Sequence, residues 1–240
     1  MSYILALETA TTACSAALCA ADGSVVAEAL SRDGPAHAGR LLPGVHEVFG
    51  VAGASWDDIS AVAVGLGPGA FTGLRIGIAT ARALVQADGN VRLIGVPTAA
   101  ALALALAGAA EGSGRLLVPL IDGRRREVFA AVYASGPGGG LDVVEEVEVV
   151  KADDLGEWLA RLGPVVVGGD GAVLYADRLT ASALPAGGIP VPTAAMVGRA
   201  AALGVPGLVS GPDAVLPIYG RAPDAARWAA PPRSVAPQRP

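Results

Sequence analysis

The sequence predicts an α/β protein of two lobes, each built in the order βββαβαβα. Three observations predict it. Short aliphatic runs bounded by Gly, Pro and Asp turns alternate with longer stretches of helical apolar spacing. The order of elements in residues 1–111 recurs in residues 112–221, a period of about 110 residues, although no sequence repeat is visible. Finally, a chain of 240 residues that is 52% hydrophobic and 16% charged has ample material for such cores.

In the first lobe, Tyr3–Thr9 and Ala13–Leu18 read as strands around the polar turn Ala10-Thr11-Thr12. Asp22-Gly23 is a hairpin signal leading into Val25–Leu30, so three strands form a meander. From His37, the residues Leu41, Leu42, Val45, Val48 and Phe49 keep helical spacing, with Pro43 expected to kink or shorten the helix. Ser55-Trp56-Asp57-Asp58 has capping-box form. A buried strand at Ala61–Val64, a glycine turn and a second helix follow, then a strand at Val91–Val96 and a helix from Thr98 to about Ala110.

Glu111-Gly112-Ser113-Gly114 breaks the pattern. The second lobe then has strands at Leu116–Ile121, Glu127–Tyr133 and Leu141–Val150, the first two joined by the charged turn Asp122–Arg126. Helices are expected at Ala152–Leu162, Gly171–Leu184 and Thr193–Leu203, with strands at Val165–Gly168 and about Ile189–Val191 between them. Residues 222–240 hold five prolines in nineteen positions without periodicity and read as a disordered tail.

Composition narrows the function. Seventeen Lys and Arg against 22 Asp and Glu give a net charge of −5, whereas a protein that grips RNA alone is usually basic. The longest apolar stretch, around Ala99–Ala110, is alanine-dominated, so no membrane span is expected. Met1-Ser2-Tyr3 runs straight into a strand without the regions of a signal peptide. Cys14 and Cys19 fall on opposite faces of one strand and cannot pair within it, which points to a reducing, cytoplasmic setting. His37 and His46, the only histidines, lack the i,i+4 spacing of a helical metal pair, and no G-x-S-x-G occurs. No metal site, cofactor or nucleophilic triad is expected.

The densest stretch is Gly65–Val85. Gly65, Gly67, Pro68 and Gly69 form a turn, and Thr72 is placed to cap the helix after it. In that helix Leu74, Ile78 and Val85 share one stripe. Gly73, Gly77 and Ala81 make a second, smooth one, and Arg75 and Arg82 share a third face. Glycine inside a helix costs roughly 1 kcal/mol against alanine, so this stripe implies that another backbone packs closely on it. Three readings fit: a phosphate held at the turn by free N–H groups, a docking face for another helix, or an ordinary strand-turn-helix. The turn lacks the Lys-Ser or Lys-Thr of a Walker loop and fits the dinucleotide fingerprint poorly. Two further clusters bear charge. Glu8, Thr11 and Thr12 lie at the first strand end, where Glu8 could serve a metal. Arg124, Arg125 and Arg126 form a basic turn that suits an RNA phosphate or a partner's carboxylates as well as plain solvent.

The run GPGAFTGLRIGIATARAL resembles the signature of the TsaB (YeaZ) family. ILALETATTACSAAL, HAGRLLP at 37–43, IDGRRREVF at 121–129 and PIYGR at 217–221 extend the resemblance over about residues 3–221. The resemblance implies a non-catalytic protein of bacterial tRNA N6-threonylcarbamoyladenosine synthesis, bound to the transferase TsaD and the ATPase TsaE. tRNA would be met through that complex, and this chain would form a homodimer when TsaD is absent. It also implies a partner interface on Leu41, Val45 and Phe49 of one helix and Gly73, Leu74, Gly77, Ile78 and Ala81 of the next, with Arg75 and Arg82 at the rim. Asp122 and Arg124 match the family's D-x-R element, with Gly123 a departure. The duplicated element order is, by analogy, that of the actin–hexokinase–Hsp70 superfamily, in which nucleotide lies between the lobes. There Glu8, Thr11, Thr12, Gly67 and Gly69 would be degenerate remnants of nucleotide elements. The competing reading is an ATP-dependent kinase or transferase using that cleft; a metallopeptidase fits less well.

Overall fold

The computed structural model describes residues 2–32, 37–136, 140–180, 182–186 and 191–220. The tail expected at 222–240 lies outside them. Strands β1 (Tyr3–Glu8), β2 (Cys14–Ala20) and β3 (Val25–Ser31) form the meander, followed by α1 (His37–Ala52), β4 (Ile59–Gly65), α2 (Phe71–Ala87), β5 (Arg92–Val96) and α3 (Thr98–Ala109). The second series is β6 (Leu116–Arg124), β7 (Glu127–Ser135), β8 (Leu141–Lys151), α4 (Leu155–Ala160), β9 (Val165–Gly168), α5 (Asp170–Leu174), β10 (Ala183–Pro185) and α6 (Ala194–Leu203). Both series therefore read βββαβαβα, and a short β11 (Val209–Ser210) follows.

The strand order repeats as well. One sheet runs β3-β2-β1-β4-β5 with β11 added beyond β5, and the other runs β8-β7-β6-β9-β10. In each, the meander strands pair antiparallel and the two crossover strands pair parallel. This is the duplicated lobe that the order of elements in the sequence implies.

Alternation along the strands explains the layering. In β1, Ile4 and Ala6 face the centre of the molecule with α3 and α6, while Leu5 and Leu7 face α1 and α2. The outer face of the second sheet packs Val118, Leu120 and Val128 on Leu155 and Leu159 of α4 and Ala172 of α5. Helix α3 is buried nearly all round, because it lies against the inner face of the second sheet and against α6. Its alanine-rich sequence follows from that position, since small side chains admit close backbones on every side.

Three local expectations are corrected. The helix expected over Gly171–Leu184 stops at Leu174, and after a 3-10 turn at Ala176–Arg178 the chain enters β10. Thr180 and Ser182 bond each other there at 3.1 Å, and parallel pairing of Ala183 with Val165 outweighs the weak helical periodicity. The strand expected near Ile189–Val191 falls mostly outside the described residues. Helix α4 begins three residues later than expected, after a turn closed by Asp154 N–H on the Lys151 carbonyl at 3.0 Å. Pro43 does not shorten α1, which runs through it; both Pro43 and Gly39, whose carbonyl it frees, are exposed to solvent.

The chain end departs from the lobe boundary expected at 112–221. Helix α6 packs on β1, β2 and β4 of the first sheet, where Gly198 leaves room for Cys19, and β11 pairs with β5. Residues 211–219 then run along α2 as a strap. Arg82 donates to the carbonyls of Pro212 and Val215 at 2.7 and 2.8 Å, and Arg75 Nε donates to the Tyr219 hydroxyl at 3.2 Å. The two arginines expected at a partner's rim instead hold the chain's own end.

Candidate functional site

The glycine turn before α2 and the glycine stripe along it both meet the β1–β2 turn. Helix α2 starts at Phe71 with Ala70 as its N-cap, so Thr72 is not the cap, and no side chain caps that end. The Ala70 N–H instead donates to the Ala10 carbonyl at 2.6 Å. A Cβ at Gly69 would strike that carbonyl, one at Gly73 would strike the Thr9 carbonyl, and one at Gly77 would strike the Thr9 hydroxyl. The smooth stripe of α2 is thus filled by the β1–β2 turn of its own lobe. The Thr9 hydroxyl completes the contact by donating to the Gly73 carbonyl at 2.9 Å.

This corrects the expected partner interface. Leu41, Val45, Gly73, Leu74, Gly77, Ile78 and Ala81 are all buried within the lobe, and Phe49 is half-buried, stacked on Trp56 with centroids 6.4 Å apart. The seven buried side chains and glycines are turned inward and are not offered to a partner while the lobe is folded. What α1 offers outward is a different stripe, Gly39, Leu42, Pro43, His46 and Gly50, and on α2 Ala79 and Ala83 are exposed.

The amides of the glycine turn are also engaged. Leu66 N–H bonds the Val96 carbonyl at 2.8 Å and Gly67 N–H bonds the Thr98 hydroxyl at 3.0 Å. Gly67, at φ 98°, lies against the Ile218 carbonyl of the strap. The amides of Leu66, Gly67 and Ala70 are thus committed within the protein, while the first turn of α2 carries no side-chain cap.

Glu8 joins the pieces. It ends β1 at 1% exposure, its Oε1 accepting from Thr9 N–H at 2.7 Å and Ala10 N–H at 2.6 Å, and its Oε2 accepting from the Thr98 hydroxyl at 2.9 Å. Thr98 therefore bridges Glu8 to the glycine turn. Burial pushes the Glu8 carboxyl up to about 7, against the pull of the bonds from Ala10, Thr98 and Thr9, and the Asp170 carboxyl adds to the rise. Asp170 opens α5 and accepts from Asp122 N–H at 3.0 Å; burial raises it to about 6.

The sign of the pH effect follows. Glu8 binds its proton more tightly in the folded state, so its contribution is fully present below about 4.5 and is lost as pH rises towards 7. The term is on the order of 3 kcal/mol. We expect urea unfolding of Glu8→Gln, which keeps the acceptor for both amides, to lose that pH dependence between pH 5 and 8. An unchanged difference from wild type across that window would place the titration elsewhere.

His37 is structural, its Nε2 donating to the Thr11 carbonyl at 2.8 Å, while Thr11 is buried and Thr12 exposed. Among the described residues no group of three or more His, Cys, Asp and Glu stands ready to hold a metal ion. The basic turn holds Arg124, Arg125 and Arg126 at φ 61°, 54° and 61°, a left-handed run without glycine. Its charges are interleaved with carboxylates: Arg124 lies 3.1 Å from Asp122, and Arg126 and Arg178 share Asp153 at 2.8 and 3.0 Å. Such exposed pairs contribute at most about 1 kcal/mol each.

Sequence reasoning missed Thr98 and Asp170. Their partners lie 90 and 48 residues away, and no local pattern marks them.

Comparison with known proteins places this arrangement. The family profile described as TsaD, tRNA N6-adenosine threonylcarbamoyltransferase, matches residues 11–163. The tRNA threonylcarbamoyladenosine biosynthesis protein TsaB of Escherichia coli is 38% identical over 177 residues, 72% of this chain and 74% of that protein. The solved structure of YeaZ from Pseudomonas aeruginosa superposes with a TM-score of 0.72 at 30% identity, covering 91% of this chain and all of the other. An activator of 2-hydroxyisocaproyl-CoA dehydratase from Clostridium difficile, solved with bound ADPNP, shares the fold at a TM-score of 0.52 and 11% identity, over 84% of this chain and 93% of that one. No helix among the described residues is long and apolar enough to cross a membrane.

Proposed function

The chain belongs to the TsaB (YeaZ) family of tRNA threonylcarbamoyladenosine biosynthesis proteins, and we propose that it is the non-catalytic scaffold on which TsaD and the ATPase TsaE assemble. The observation that carries the reading is the outer stripe of α1. Leu42 is 53% exposed, Gly39, Pro43 and Gly50 beside it carry no polar side chain, and His46 is the one polar residue of the stripe. The inner face of that helix already fills the lobe's own core, so this second, largely apolar stripe has no internal partner. Gly39 and Gly50 have open space around them, which lets a facing helix approach closely.

In this reading α1 and the exposed side of α2 pack against the equivalent helices of TsaD. The amides of Leu66, Gly67 and Ala70, already bonded within the protein, favour a supporting role over phosphoryl transfer. Without TsaD the same stripe pairs with a second copy, giving a homodimer whose fraction in sedimentation falls on dilution. tRNA is met through the complex, with Arg124, Arg125 and Arg126 the basic segment nearest to such a role in this acidic chain.

Reconstitution of the modification from TsaD, TsaE and an unmodified tRNA, with and without this chain, tests the proposal. We expect product only when the chain is present, and no ATP turnover by the chain alone. Tight Mg-ATP binding with turnover by the isolated chain would support the kinase or transferase reading instead.

A further inference from the structure

Between the lobes, beyond the β1–β2 turn, lies a cavity of about 350 Å³ that the scaffold reading does not use. Arg32 and Thr12 reach it from the first lobe, and Asp122, Arg124 and Asp170 from the second. Its charged lining is balanced, two guanidinium groups against two carboxylates. Arg32 has no hydrogen-bond or ion-pair partner among the described residues. Arg124 uses its Nη1 on Asp122, yet its side chain is 59% exposed and keeps further donors. The backbone under it is the left-handed arginine run, a sparsely populated conformation for residues with a Cβ. On the other side stand Val173 and Leu174 of α5, 62% and 55% exposed, an uncovered aliphatic pair beside the charges.

A polyphosphate is a poor occupant. Asp122 and Asp170 in the lining would repel it. The volume lies at the small end of ligand sites. Arginines suit a carboxylate through paired donors, a half-buried carboxylate suits an ammonium, and exposed valine and leucine suit an aliphatic side chain.

We propose that this cleft binds a small zwitterion of the α-amino-acid class, with its carboxylate on Arg32 and Arg124, its ammonium on Asp170 and its side chain on Val173 and Leu174. The Thr12 hydroxyl at the same cavity supplies a hydrogen bond to a hydroxylated side chain. The site is separate from the α1 stripe, so it stands or falls independently of the scaffold reading.

Titration calorimetry on the full chain tests it, with L-valine and L-serine as probes and with isobutylamine and isovalerate as the two halves of valine. We expect at least one amino acid to bind at least tenfold more tightly than either half-molecule. Arg32→Ala and Asp170→Asn should each weaken it about tenfold or more, while Val173→Asp weakens valine more than serine. Arg32 is exposed, so its variant keeps the wild-type unfolding midpoint. The proposal is overturned if no amino acid gives heat up to ~10 mM, if a half-molecule binds as well as the whole, or if Arg32→Ala changes nothing. Mg-ATP binding that depends on Arg32 would overturn it too.

Discussion

Gly77→Arg abolishes the folded first lobe. Position 77 lies in the middle of α2 and faces inward, and even a Cβ there would strike the Thr9 hydroxyl and touch Val64 at 3.5 Å. The full arginine side chain must push the β1–β2 turn off the helix, break the bond from Thr9 to the Gly73 carbonyl, and bury a charge with no partner. The sum exceeds about 5 kcal/mol, the scale of a whole domain's stability. Purified variant should show no cooperative thermal transition for the lobe, or fail to accumulate. Gly77→Ala gives a finer test of sign. In an unobstructed helix it would stabilise by about 1 kcal/mol. Here displacing Thr9 reverses the sign, and we expect urea unfolding to show a net loss of about 1–3 kcal/mol.

Leu42→Arg should do the opposite. Leu42 is half-exposed on the outer stripe of α1, so the change should alter the unfolding free energy by no more than about 0.5 kcal/mol. At the centre of a helix-on-helix interface it puts a guanidinium where an apolar surface is expected. We predict at least a thirtyfold loss of TsaD affinity, about 2 kcal/mol, with loss of the homodimer as well. The two substitutions separate the faces of the helical layer: an inner residue whose change unfolds the lobe, and an outer residue whose change leaves a folded protein without its partner.

Much of the fold was legible because strand and helix periods are read from neighbouring residues. The strand at Tyr3–Thr9, the Asp22-Gly23 hairpin and the strand-turn-helix at Gly65–Val85 all stand as the sequence implied. The glycine stripe was also legible as a place where another backbone comes close. Which backbone was not. The answer, the Thr9–Ala10 turn, lies about sixty residues earlier and carries only small residues with no signature of their own. The same limit applies to Thr98, which looked like an ordinary first residue of a helix and holds Glu8 across the lobe. It applies to the strap as well, since the spacing of Arg75 and Arg82 shows that they share a face but not that Pro212, Val215 and Tyr219 return to it. Near Gly171–Leu184 the local signal was present but weak, and strand pairing with β9 prevailed.

The most direct measurement is size-exclusion chromatography with light scattering on this chain, alone and mixed with TsaD of the same organism, for wild type and Leu42→Arg. The account predicts a homodimer alone, a mass shift to a complex with TsaD, and neither for the folded variant. A wild-type chain that never changes mass with TsaD, or a Leu42→Arg variant that binds it normally, would contradict the assignment of the outer α1 stripe as the scaffold's partner face.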